Sequence, residues 1–195
     1  MPKIGMEPIR RASLIDATIA EIGNAGNLEV TVSQIARRAG MSSALAHHYF
    51  GSKEAMFVSA MRHVLTVYGA GVRGALSAAE TPRDRARAVI RASFSGVNFR
   101  REVIAAWLNF YVLAQSLPEA RRLLRVYQHR TVSNLTHALR PIMGPQAREV
   151  AHSIAAMIDG AYLHAALGGD EPDAKAATRR IEAYLALALS QAHAR

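Results

Sequence analysis

The chain has 195 residues, half of them hydrophobic, a formal charge of +9 and no cysteine, so it can build a sizeable core, while disulfides and thiolate metal sites are excluded. Its longest uncharged run, residues 103–118, falls short of a membrane span and carries Asn109, Gln115 and Ser116, and the opening residues lack the apolar stretch of a signal peptide. A soluble cytoplasmic protein is expected.

An arm with Lys3, Arg10 and Arg11 leads into a first helix over about Pro8 to Ala25, in which Ile15, Ile19 and Ile22 make an apolar stripe and Gly26 marks the end. Such an arm has the charge to touch phosphate or a minor groove, and a frayed terminus would carry the same charges. Thr31 followed by Gln34 has the form of a capping box. Ile35, Ala36 and Ala39 give the helix it starts one apolar side, and Gly40 stands where a left-handed residue would stop it. Ser42 can cap a second short helix, Ser43 to His48, which runs out in the aromatic pair Tyr49-Phe50 before Gly51. Two short helices joined by about four residues containing glycine match the helix-turn-helix pattern, whose second helix lies in the major groove of DNA; a plain helical hairpin has the same spacing. Charge does not single out this segment. Residues 1–53 carry six Lys or Arg against four Asp or Glu, and the arginine runs further along, such as Arg83, Arg85, Arg87 and Arg91, read as solvated helix faces.

Ser52 opens a long helix to about Ala79 that carries Met56, Phe57, Ala60, Met61, Val64 and Leu65, a mechanical link between the short helices on its N-terminal side and the rest of the chain. Gly69, Gly71 and Gly74 inside it each cost about 1 kcal/mol relative to alanine, and imply a bend, a close packing contact or a break. Further helices are expected over Pro82 to Phe99, Arg101 to Ser116, Pro118 to Met143, Pro145 to Leu167 and Asp173 to His193, with a loop from Gly168 to Pro172 before the last. With no strand-type alternation, the chain reads as all-α, about nine helices with short connections. Stripes on the last two helices are expected at a subunit interface: Ala151, Ile154, Ala155, Ile158, Tyr162 and Ala165 on one, Ile181, Tyr184, Leu185 and Ala188 on the other. The alternative is that both stripes bury inside one subunit.

Chemistry in the second half is sparse. Trp107, Phe110 and Tyr111, with Val103 and Ala114, lie along one face of a helix, which most often means core. Asp159, however, is the only formally charged residue between Glu149 and Asp170. A carboxylate in so apolar a helix needs a partner, either an arginine of the chain or a cationic ligand. No metalloprotease, nucleophile-elbow or phosphate-loop pattern occurs, and His47 and His48, adjacent on a helix, diverge. No catalysis, cofactor or metal is expected.

The string Thr31-Val-Ser-Gln-Ile-Ala-Arg-Arg-Ala-Gly-Met-Ser, followed by His48-Tyr49-Phe50 and Ser52-Lys53-Glu54, closely resembles the tetracycline-repressor (TetR) family. The resemblance implies a DNA-binding head, residues 1–54, on a helical ligand-binding and dimerising body, residues 55–195, acting as a homodimer on palindromic double-stranded operator DNA. It places Ser42, Ser43 and Ala44 near base edges and Thr31, His47, Tyr49 and Lys53 at phosphates, with His48 also in the DNA-binding set. Ala46 stands where a larger aliphatic is common and His47 where an aromatic is common. The opening Pro2-Lys3-Ile4-Gly5-Met6 with Pro8-Ile9-Arg10-Arg11, the segment Trp107-Leu108 to Phe110, the run His129-Arg130 with Ser133-Asn134-Leu135, and Ile158-Asp159-Gly160-Ala161-Tyr162-Leu163 look like one branch of that family, the choline-responsive repressors of glycine betaine synthesis. That branch implies repression of choline transport and betaine genes, relieved by choline, with Trp107, Tyr111 and Asp159 as ligand residues and Tyr127 and Tyr162 as weaker additions. Aromatic faces plus a carboxylate are the physical means of holding a quaternary ammonium. A regulator answering to another small cationic or hydrophobic ligand is the alternative.

Overall fold

The structure, a computed structural model, describes residues 5–193 and there comprises nine α-helices, one 3-10 turn at Gly144–Gln146 and no strand. In chain order the helices are α1 (Met6–Ala25), α2 (Val32–Arg38), α3 (Ser43–Phe50), α4 (Lys53–Ser77), α5 (Pro82–Ser93), α6 (Arg101–Ser116), α7 (Pro118–Met143), α8 (Ala147–Leu167) and α9 (Ala174–His193). Lys3 and the rest of residues 1–4 of the expected arm lie outside the described residues, whereas Arg10 and Arg11 belong to α1.

Local chemistry sets most of these starts. The Thr31 hydroxyl accepts from the Gln34 N–H at 3.2 Å while the Thr31 N–H donates to Gln34 Oε1 at 2.7 Å, a complete capping box. Ser42 caps α3 through the Leu45 N–H, Ser52 caps α4 through Ala55, and Thr81 caps α5 through Asp84. Gly26 and Gly40 take the positive φ expected of helix stops. The α4 helix runs unbroken through its three glycines, and it begins at the expected head–body boundary near Glu54, so it joins the two regions physically. A side-chain carbon added at Gly71 or Gly74 would meet nothing, so neither glycine serves a close contact within the subunit.

Two boundaries differ from the sequence reading. The α5 helix stops at Ser93 rather than Phe99, because Asn98 Nδ2 takes the Ala92 carbonyl at 2.9 Å and the chain turns so that Phe94 and Phe99 pack edge-on at 5.0 Å. A 3-10 turn precedes α8, which begins at Ala147 rather than Pro145.

One apolar core runs from Leu14 and Ile35 in the head to Ile181 and Leu185 in α9. The first helix buries Leu14, Ile19 and Ile22, with Ile15 only half-buried. Head and body meet where α1 crosses α6. A side-chain carbon at Gly23 would lie 2.6 Å from the Glu102 Cα, and Asn109 Nδ2 donates to the Gly26 carbonyl at 3.2 Å. Glycine at 23 is therefore what allows the two helices to touch.

The interface stripes expected from periodicity must be corrected. Ala151, Ile154, Ile158 and Tyr162 in α8, and Ile181, Leu185 and Ala188 in α9, are buried within this one chain. The outward faces carry other residues: Leu163 and Leu167 in α8 and Leu187 in α9 are 45%, 70% and 56% exposed, beside Gly160, where an added carbon would meet nothing.

Gly23→Ala is expected to destabilise the fold by about 1–3 kcal/mol through overpacking of α1 on α6. Gly71→Ala, in open space inside a helix, is expected to stabilise it by roughly 0.4–1 kcal/mol. Denaturant melts of the two variants check the contrast, and equal effects would contradict it.

Candidate functional site

The head presents a short capped helix, α3, on a support of α1 and α2. Of the residues expected at DNA, Thr31, Ser42, Ala44, His47 and His48 are exposed or nearly so, and Ser43, Tyr49 and Lys53 are less open. Several have local duties. The Ser43 hydroxyl pairs with Ser33 Oγ at 3.0 Å, fixing α3 against α2, and His47 Nδ1 lies 3.1 Å from the Gly51 carbonyl. Lys53 turns inward: its ammonium donates to the Leu28 carbonyl at 3.1 Å and lies 5.8 Å from the Phe57 ring. Two of its three donors remain for a phosphate.

Arg10 and Arg11, expected in a free arm, instead brace the end of α3. Arg10 Nη1 reaches the Tyr49 hydroxyl at 3.5 Å, and the Arg11 guanidinium lies 5.5 Å from the Tyr49 ring and 5.2 Å from that of Phe50. Ala46 is fully buried, so the small residue there suits the close approach of α3 to its support.

In the body, α6, α7 and α8 bring Trp107, Tyr111, Tyr127 and Asp159 together. Tyr111 donates to Asp159 Oδ1 at 2.9 Å and Tyr127 donates to the same oxygen at 3.3 Å. The Trp107 ring lies 4.6 Å from that of Tyr127 and 5.8 Å from that of Tyr111. No ion pair reaches Asp159 among the described residues, so the arginine partner allowed by the sequence is not there. Burial raises the Asp159 carboxyl above its ordinary value, against the pull of the two phenols, and burial and the carboxylate together push both phenols far up. On its outer side Asp159 lines an open groove of about 960 Å³ between α7 and α8, rimmed by Arg125, Arg140 and Arg148.

Tyr162 has a different task. Its hydroxyl donates to the Ser93 carbonyl at 2.6 Å and the Asn98 carbonyl at 3.2 Å, and its ring packs on Phe99 at 5.0 Å. It closes the end of α5, and only its ring, 6.0 Å from that of Trp107, borders the cluster. Sequence reading missed Tyr68, whose ring meets Tyr127 edge-on at 5.6 Å; its place beside Leu65 and Val72 in α4 was the available signal.

Two family profiles match the chain. Residues 14–60 match the profile of bacterial regulatory proteins of the tetR family, and residues 82–190 match that of the C-terminal region of BetI-type transcriptional repressors. The HTH-type transcriptional regulator BetI of Brucella melitensis is 50% identical over 191 residues, 97% of this chain and 96% of its own, and that of Rhizobium meliloti is 47% identical over 188 residues, 96% of this chain and 89% of its own. Among solved structures, a transcriptional regulator from Pseudomonas aeruginosa PAO1 superposes with a TM-score of 0.77 at 27% identity, over 96% of this chain and 94% of the other. A regulator from Saccharomonospora viridis in complex with choline superposes with a TM-score of 0.81 at 19% identity, over 90% of this chain and 95% of the other, which shows likeness of fold.

The position of Asp159 makes a stability prediction. A carboxyl whose folded value is raised ionises less readily in the folded chain than in the unfolded one, so stability is lost as pH rises from the ordinary value of 3.8 through the raised one. Asp159→Asn removes that loss. The thermal midpoint of the variant relative to the native chain is expected to rise as pH climbs from the ordinary carboxyl value of 3.8, and a difference independent of pH would contradict the assignment.

Proposed function

This chain belongs to the BetI type of the TetR family of transcriptional repressors, and from that premise we propose that choline, or a close quaternary-ammonium relative, releases it from operator DNA controlling choline transport and glycine betaine synthesis. The observation that carries the reading is the Asp159 carboxylate, held without an ion pair by Tyr111 and Tyr127, whose rings lie 5.8 and 4.6 Å from that of Trp107. A permanent cation with an apolar surface matches that combination: the rings hold the methyl groups by cation–π attraction, and the carboxylate supplies the counter-charge. A neutral apolar ligand would leave the carboxylate uncompensated.

The same geometry gives a route to release. A trimethylammonium group does not fit between rings whose centroids are 4.6 Å apart, so Tyr127 or Tyr111 must swing aside and exchange its bond to Asp159 for the cation. The bound form is then a different arrangement of α6 and α7, and choline favours it only by its differential affinity. Because α6 also carries Glu102 against Gly23 and Asn109 against Gly26, its displacement moves α1 and with it the head. In a dimer the two recognition helices then no longer match half-sites one turn of DNA apart.

Dimerisation is assigned to the outward faces of α8 and α9. Leu163 and Leu167 in α8 and Leu187 in α9 are exposed apolar side chains, and Gly160 leaves room for close approach of a partner helix. The protein acts in the cytoplasm, and no described helix is long and apolar enough to cross a membrane.

Three outcomes test this reading. Calorimetry should show choline binding while the uncharged isostere 3,3-dimethylbutanol binds at least about tenfold more weakly, a difference of about 1.4 kcal/mol; equal affinities would remove the charge from recognition. Trp107→Phe, which avoids the cavity that alanine would leave at a residue only 4% exposed, keeps a weaker ring in place and should weaken choline, by less than the roughly 30-fold upper range of a whole cation–π contact. Leu163→Glu with Leu187→Glu should give a folded monomer by sedimentation with little operator affinity, whereas Ile158→Glu should unfold the chain, since Ile158 is fully buried. A dimer that survives both leucine changes would relocate the interface.

A further inference from the structure

A second cavity, of about 350 Å³, lies between α4 and α7, and neither Trp107 nor Asp159 lines it. Leu65, Val72, Leu76 and Val126 give it apolar walls, and Val126, 42% exposed, is a large aliphatic turned away from the core. Gly69 keeps the α4 side open, for a side-chain carbon there would approach only the Arg73 guanidinium, at 3.4 Å.

Its polar groups are short of partners. Thr131 is 2% exposed and its hydroxyl oxygen makes no hydrogen bond of ordinary geometry, although the Tyr68 hydroxyl is its neighbour. Tyr68 is itself held only loosely, at 3.4 Å from Ser93 Oγ. Buried hydroxyls are nearly always paired, so the Thr131 hydroxyl at the lining of a cavity points to a ligand atom. The charges in the lining agree in sign: Arg73 and Arg130 are the charged residues there, no carboxylate accompanies them, and neither takes part in an ion pair among the described residues.

We propose that this cavity binds an amphipathic anion, a carboxylate with a compact or short linear apolar body, distinct from the cation read at Asp159. At about 30 Å³ per water-sized group the space takes roughly ten to twelve non-hydrogen atoms. The apolar walls take the body, a guanidinium at the mouth matches a carboxylate in a two-point fork, and the same guanidiniums repel a quaternary ammonium. Tyr127 is the common wall of both sites, its hydroxyl on Asp159 and its ring beside Tyr68, so occupancy of one alters the other. The α4 wall lies on the helix that enters the head, which gives an anion bound there leverage on the operator.

The test is titration of the full chain with sodium octanoate and, separately, 1-octanol, monitored by calorimetry and by the fluorescence of Trp107, the only tryptophan. Octanoate should bind at least tenfold more tightly than octanol and change the Trp107 emission. Arg73→Gln with Arg130→Gln, both at exposed positions, should weaken octanoate at least tenfold while the thermal midpoint holds. Thr131→Val should weaken it without loss of stability. Asp159→Asn should retain octanoate binding while it loses choline, so a failure of choline recognition and a failure of this site are read separately. The proposal is overturned if octanoate binds no more tightly than octanol, if the double arginine variant binds it as the native chain does, or if Asp159→Asn abolishes it.

Discussion

A half-buried carboxylate without a cation is the constraint on which the body of this protein turns. Burial opposes the ionised form of Asp159, and the fold answers with two phenols donating to a single oxygen rather than with an arginine. On the proposed function the charge is something a ligand completes, and the groups that stabilise it in the free protein are the groups that would move when the ligand arrives. Trp107 adds a face that attracts cations but forms no bond to Asp159, so the cage has one wall that stays and two that yield.

The proposed route from that exchange to DNA runs through the double use of α6. One side of the helix carries Trp107 and Tyr111; another carries Glu102 and Asn109 against the end of α1. A contact that admits no side-chain carbon transmits displacement better than a loose one, because the packed surfaces cannot absorb it. At the other end of α1, Arg10 and Arg11 hold the aromatic end of α3. A single helix thus spans from the body contact to the recognition helix, and the salt bridges elsewhere, such as Arg62 with Glu119 and Arg101 with Glu171, lie in solvent where they contribute little.

Much of the fold was legible because its signals are local. The capping box at Thr31, the caps at Ser42 and Ser52 and the glycine stops depend on chemistry within three or four residues, and each appears where the sequence places it. The end of α5 was not legible: helical periodicity continues past Ser93, and the turn there is held by Tyr162, which lies far along the chain. Periodicity likewise marked the apolar stripes of α8 and α9 without saying what covers them, and the fully buried Ile158 and Leu185 belong to this subunit's core rather than to its surface. The isolation of Asp159 could be read from the residues around it. Its bonds to Tyr111 and Tyr127 required three helices to be placed, and the inward turn of Lys53 required the Leu28 carbonyl.

The proposed function requires the Asp159 cluster and the operator-binding head to be coupled through the α1–α6 contact. Choline affinity measured with the protein free and again with it saturated by operator DNA tests this most directly, together with operator affinity measured with and without choline. Linkage requires the two factors to be equal, and a common factor of about 5 to 150 is expected, reduced in Asn109→Ala although that residue touches neither ligand. Choline affinity that is the same with and without operator would contradict it.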